Sequence, residues 1–196
     1  MEVPVRTRFV VRLLAGTALL LAIATPAAGQ GAAPGVLLGG GVSFLIDEET
    51  ATGLSVNVNK DIHNQGQAAI GVAGDFGLHR FSRSFLGAEA SATITTFLVG
   101  PRVTSTPNGA LAPFGQFMIG FARAGVSLEF DGDEILDESA SGFGFSVGGG
   151  LNMKATDNLN FLVQVDYQHF SLEAEGATVS GGVVRFLVGV STRIAR

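Results

Sequence analysis

The 196-residue chain carries 12 Lys and Arg against 17 Asp and Glu, a net charge of −5, with 28 Gly, 15 Phe, one Tyr and neither Cys nor Trp. Without cysteine there are no disulfides, thiolate metal sites or thiol nucleophiles, and the acidic balance leaves no basic stripe to neutralise nucleic-acid phosphates. With 15% charged residues and a mean hydropathy of +0.40, the chain is too apolar and too poor in charge for an ordinary soluble domain of its size.

The N-terminus has a basic stretch (Arg6, Arg8, Arg12), an apolar run from Leu13 to Ala24, and then Thr25-Pro26-Ala27-Ala28-Gly29-Gln30. That layout predicts a secretory signal peptide over residues 1–29, cut near Gly29. The apolar run is shorter than the roughly twenty residues of a membrane-spanning helix. Residues 30–196 are then one domain, and no later segment is apolar for long enough to span as a helix.

From Val36 onward the chain alternates apolar with polar or small residues in runs of about ten, the period of a strand with two unlike faces. The first predicted strand, Val36 to Ile46, sets Leu38, Val42, Phe44 and Ile46 against Gly39, Gly41 and Ser43, and the acidic run Asp47-Glu48-Glu49 ends it. The second, Gly53 to Ile62, sets Leu54, Val56 and Val58 against Ser55, Asn57 and Asn59, before a turn at Asn64-Gln65-Gly66-Gln67. The third, Ala68 to Leu78, sets Ile70, Val72, Phe76 and Leu78 against Ala69, Gly71, Ala73, Asp75 and Gly77. The fourth, Ser91 to Val103, sets Phe97, Val99 and Val103 against Thr96, Gly100 and Arg102, and Thr106-Pro107-Asn108-Gly109 punctuates it as a turn.

The fifth strand, Pro113 to Val126, sets Phe117, Ile119 and Phe121 against Gln116, Met118, Gly120 and Ala122. In the sixth, Gly142 to Lys154, Phe143, Phe145, Val147, Leu151 and Met153 alternate with Gly144, Ser146, Gly148, Gly150 and Asn152 before a turn at Thr156-Asp157-Asn158. The seventh, Leu159 to Phe170, sets Phe161, Val163, Val165 and Tyr167 against Asn160, Leu162, Gln164, Asp166 and Gln168. The last has Val184, Phe186, Val188, Val190, Thr192 and Ile194 on one face and Arg185, Leu187, Gly189, Ser191 and Arg193 on the other.

Eight such strands behind a leader predict an all-β, eight-stranded, antiparallel up-and-down transmembrane barrel with its apolar face toward lipid. Links after the second, fourth and sixth strands look short, and those after the first, third, fifth and seventh longer or more acidic. Short periplasmic turns and longer outside loops then put both mature termini in the periplasm.

Gly71 to Gly77 (GVAGDFG), Phe97 to Arg102 (FLVGPR), Pro113-Phe114-Gly115-Gln116, Gly120-Phe121-Ala122-Arg123, Gly148-Gly149-Gly150-Leu151 and Val165-Asp166-Tyr167 resemble the strand signatures of the OmpA/OmpX-like small outer-membrane β-barrel family. The resemblance covers the whole mature chain. It implies a porin-like barrel in a Gram-negative outer membrane, contact with membrane lipid and lipopolysaccharide, insertion by the barrel-assembly machinery, and a monomer without cofactor. The chain departs from the family in its aromatic girdles, which must be built from Phe, and in its end, Ile194-Ala195-Arg196, where members usually finish on an aromatic residue.

Three constellations could carry chemistry. By parity Asp75, Arg102, Asp166 and Arg185 face the lumen, where eight strands leave room only for side chains. Buried charges need partners, so they are expected to form a polar network with Gln116, Gln164 and Asn160, a proton or ion path being the alternative. An acidic external loop, Asp131, Asp133, Glu134, Asp137 and Glu138, faintly resembles a calcium loop but lacks its full pattern, and no metal is expected there; it keeps the rim hydrophilic. His169 and Ser171 share an outward face, with Glu173 and Glu175 following.

A His-x-Ser pair is similar to that of barrel-type lipid A deacylases, but the rest of that family's motif is missing. His63 and His79 flank the third strand at opposite ends and cannot share a metal. The expected function is therefore non-enzymatic, structural or surface-interacting, with no catalytic residue. The alternatives are a lipid A-modifying enzyme using His169 and Ser171, or a soluble lipocalin-like ligand binder with its faces reversed.

Overall fold

A computed structural model of the chain describes residues 36–47, 50–65, 68–85, 88–105, 110–130, 133–174 and 177–195. The leader, the Pro107 turn, Gly66-Gln67 and Asp131 fall outside those residues. Eight strands follow in chain order: β1 (Val36–Ile46), β2 (Thr50–Gln65), β3 (Ala68–Phe85), β4 (Ala88–Ser105), β5 (Leu111–Phe130), β6 (Asp133–Lys154), β7 (Leu159–Ala174) and β8 (Ala177–Ala195). Each pairs antiparallel with the next, and β8 closes on β1, Ile46 opposite Val184. Closure leaves no free edge strand around the ring, and a free edge is what a lipid environment does not tolerate.

The alternation holds round the ring. Leu54, Ile62, Phe97, Phe143 and Val188 are more than half exposed, while their strand neighbours Ser55, Leu98 and Leu187 are buried. Followed from Gly41 via Ser55, Thr96, Gly142 and Val179, the register returns to β1 beyond Ile46 instead of at Gly41. That stagger, about ten residues, goes with strands tilted by roughly 35–45°. On β8 the outward apolar run from Val184 to Ile194 then spans about 25 Å of height, the thickness of a lipid-facing band.

The predicted cores of the strands stand, but the long links do not. β3 and β4 stay paired to Phe85 and Ala88, β5 and β6 to Phe130 and Asp133, and β7 and β8 to Ala174 and Ala177. The acidic positions 133, 134, 137 and 138 are thus strand rather than loop; Asp137 faces Ser127 and Glu138 faces Val126. Above the apolar band the outward positions need no longer be greasy. Ser, Thr and Gly occupy them, and the ladder runs on without the alternation that betrays it in sequence. At the opposite rim the Thr156 turn is as expected: the Thr156 hydroxyl accepts from the Leu159 amide at 3.2 Å.

Candidate functional site: a charged lock in the lumen

Arg185, on the inward face of β8, is fully buried. Its Nη1 and Nη2 donate to Asp75 Oδ1 and Oδ2 of β3 at 2.5 and 3.1 Å. Its Nε and Nη2 donate to Asp166 Oδ2 of β7 at 3.1 and 2.8 Å, and Nη1 reaches Ser55 Oγ at 3.4 Å. One planar cation thereby bridges the barrel between two carboxylates, a geometry that guanidinium's fixed fork of donors allows and ammonium's does not. Gln164 Nε2 donates to Asp166 Oδ2 at 2.7 Å and Gln116 Nε2 to Oδ1 at 3.3 Å, completing the second carboxylate's shell. Gly148 faces this cluster from β6. A Cβ there would strike the Val165 carbonyl and Asp166, so only glycine lets the carboxylate sit where Arg185 can reach it.

Five of the seven expected network residues are joined in this way. Arg102 is one exception: its guanidinium lies 3.4 Å from the Phe114 ring centroid, a cation–π contact in place of an ion pair. Asn160 is a second correction, since it donates to Ser191 Oγ at 3.3 Å, away from the cluster. Apolar side chains pack around the lock, with Ala73, Leu98 and Met118 in one group and Phe114, Leu162 and Leu187 in another.

One lumen residue was missed. His79 is fully buried, and its Nε2 lies 2.7 Å from Ser43 Oγ, itself 2.9 Å from Ser55 Oγ, so a polar chain runs from the histidine to the lock. The available signal was its parity with Asp75. Among the described residues its Nδ1, Thr96 Oγ1, Ser146 Oγ and both polar atoms of Gln168 are buried without a protein partner, as in sites that hold ordered water. His63 is exposed on β2, opposite Ile70, whereas His79 lies opposite Gly53 at the other end of that hairpin.

On the outer face, His169 and Ser171 stand half-buried beside Phe145 and Phe143. The His169 ring packs on Phe145 with centroids 5.4 Å apart, and Ser171 Oγ lies 3.1 Å from Ser180 Oγ. The two residues are neighbours, each with a different partner. Of the acidic set, only Glu138 has a described side chain, and it is exposed.

The Outer membrane protein beta-barrel domain family matches over residues 15–191, and the chain belongs to that family. The protein is thus an outer-membrane β-barrel. Its fold is similar to Ail, the attachment invasion locus protein of Yersinia pestis, at TM-score 0.52 and 16% identity, over 82% of this chain and 97% of that one. Neisserial surface protein A aligns at TM-score 0.56 and 12% identity over 84% and 100% of the two chains. A major outer membrane protein of Thermus thermophilus aligns at 0.56 and 12%, over 83% and 100%. No curated protein matches by sequence. The lipocalin-like alternative required an apolar interior, and the centre of this lumen is ionic.

Proposed function

We propose that the protein is a non-enzymatic outer-membrane barrel with a structural or surface-interaction role, its lumen plugged by side chains and both mature termini periplasmic. The observation that carries this is the inversion of the two faces. Greasy residues such as Leu54 and Phe143, 63% and 67% exposed, ring the outside, while the charged residues Asp75, Asp166 and Arg185 are sealed within. Lipid contact with the outer belt drives insertion, and closure removes the free strand edges that lipid would leave without partners.

The orientation rests on strand length instead of loop length. β3–β4, β5–β6 and β7–β8 climb past the belt at one rim, while at the other the strands stop near Val36, Leu159 and Ile194. The projecting rim is the external one, where the acidic positions of β5 and β6 meet lipopolysaccharide, and delivery is by the barrel-assembly machinery. An epitope inserted between Phe130 and Asp133 should be labelled on intact cells, and one after Arg196 only after permeabilisation. Labelling in the reverse pattern would invert the assignment. The protein should fractionate with outer membranes and migrate differently on gels unless boiled.

The absence of an enzymatic role draws support from Ser171, whose hydroxyl is engaged with Ser180 and not with His169. Mass spectrometry of lipid A from cells with and without the protein tests it. An identical acyl pattern is expected, and a lost acyl chain that returns in H169A or S171A would establish the deacylase instead.

A further inference from the structure

Two arginines on the outer face fall at one level, just above the apolar belt. Arg80 of β3 is opposite Thr93 of β4, and Arg123 of β5 is opposite Thr95. Thr93 and Thr95 share the outward face of β4 with Phe97. With the stagger described, each perpendicular step toward the next strand climbs about 3 Å. The two steps from β3 to β5 therefore climb about 6 Å, and the two residues from Thr93 to Thr95 descend about 5 Å. Arg80 and Arg123 end at nearly the same height, two strands apart, within reach of a single ligand group between them.

Both side chains are exposed. Arg123 Nη2 donates to the Ser139 hydroxyl at 3.3 Å, and among the described residues neither guanidinium has a carboxylate within ion-pair distance. Directly below are Leu78, Phe97 and Phe121, with the Phe143 ring tilted against Phe121 at 4.4 Å between centroids. Two cations without a carboxylate partner among the described residues, set over an aromatic shelf at the line where acyl chains give way to headgroups, have the chemistry to hold a phosphorylated lipid.

We infer that Arg80 and Arg123, with the hydroxyls of Thr93 and Thr95 between them, bind a phosphate of lipid A in the outer leaflet, its acyl chains lying along Leu78, Phe97 and Phe121. The site rests on the proposed orientation, which puts this rim in the lipopolysaccharide leaflet. Binding to purified components does not depend on it.

The test uses the full mature protein in a zwitterionic detergent, titrated with lipid A and followed by native mass spectrometry. The double variant R80Q/R123Q should bind lipid A about tenfold more weakly, having lost two charge-assisted contacts. Enzymatically dephosphorylated lipid A should bind the native protein as weakly as that. K60Q, which removes an exposed cation on β2 at the other rim, should bind as the native protein does. Phosphatidylglycerol should compete poorly and inorganic phosphate not at all; effective competition by either would replace lipid A with that anion. The heat-dependent gel shift shows that each variant is folded. A folded double variant with unchanged affinity, or equal binding of dephosphorylated lipid A, would overturn the site while leaving the barrel and its location untouched.

Discussion

Replacing Arg185 with Met should destabilise the barrel more than any other single lumen change. The substitution keeps most of the volume but strands two carboxylates inside a closed ring. Asp166 retains Gln164 and Gln116, at 2.7 and 3.3 Å, whereas Asp75 loses every side-chain partner described for it. Breaking a buried ion pair by deleting one member costs about 3–5 kcal/mol. With a urea dependence of roughly 2 kcal/mol per molar, the unfolding midpoint should fall by about 2 M. The triple variant R185M/D75N/D166N removes all three charges and should return to within about 1 kcal/mol of the native protein, because a neutral core of similar volume avoids the desolvation of ions. Urea unfolding in lipid vesicles, read by far-UV circular dichroism and by unheated gel mobility, suits a chain without Trp. A loss below about 1 kcal/mol in R185M, or a triple variant as unstable as the single one, would refute the assignment of Arg185 as the central cation.

Arg102 should be less critical, since its partner is the Phe114 ring: R102M should cost about 2 kcal/mol or less in the same assay. On the lipid face, V188R at mid-belt should cost about 2–4 kcal/mol, and T178R above the belt close to nothing; equal effects would contradict the placement of the belt. G148A should cost about 1–3 kcal/mol by pushing on the Val165 carbonyl and Asp166. G74A, whose Cβ would meet nothing within 4 Å, should stay within about 0.5 kcal/mol, and reversed values would show that the β6 backbone can yield.

How far the sequence revealed this molecule depended on where lipid lies. Between Val184 and Ile194 every second residue must satisfy acyl chains, so strand, face and parity were all legible. Past the belt that demand ends. Ser139 and Ser141 on β6, or Arg80 and Ser82 on β3, are polar whether they face out or in, and the paired segments up to Asp133 and Phe85 read as loop. Parity alone placed Asp75, Asp166 and Arg185 in the lumen. It could not say which inward residues share a level, because that depends on the stagger of all eight strands. Hence parity groups Arg102 with the carboxylates although its neighbour is Phe114, and the strand pattern ends before His79 although its Nε2 lies 2.7 Å from Ser43 Oγ.

The lock also has a chronology. Arg185 belongs to the last strand, and the groups it grips on β2 and β3 lie 130 and 110 residues earlier in the chain. A nascent sheet that has not yet curled round on itself cannot make those contacts, so they form as the final seam seals. R185M should therefore unfold faster than the native protein while assembling at the same rate, the signature of contacts made after the rate-limiting step; slowed assembly would place the seam before it. Arg185 thus works as a latch, fastened once the ring has shut and governing how long it stays shut.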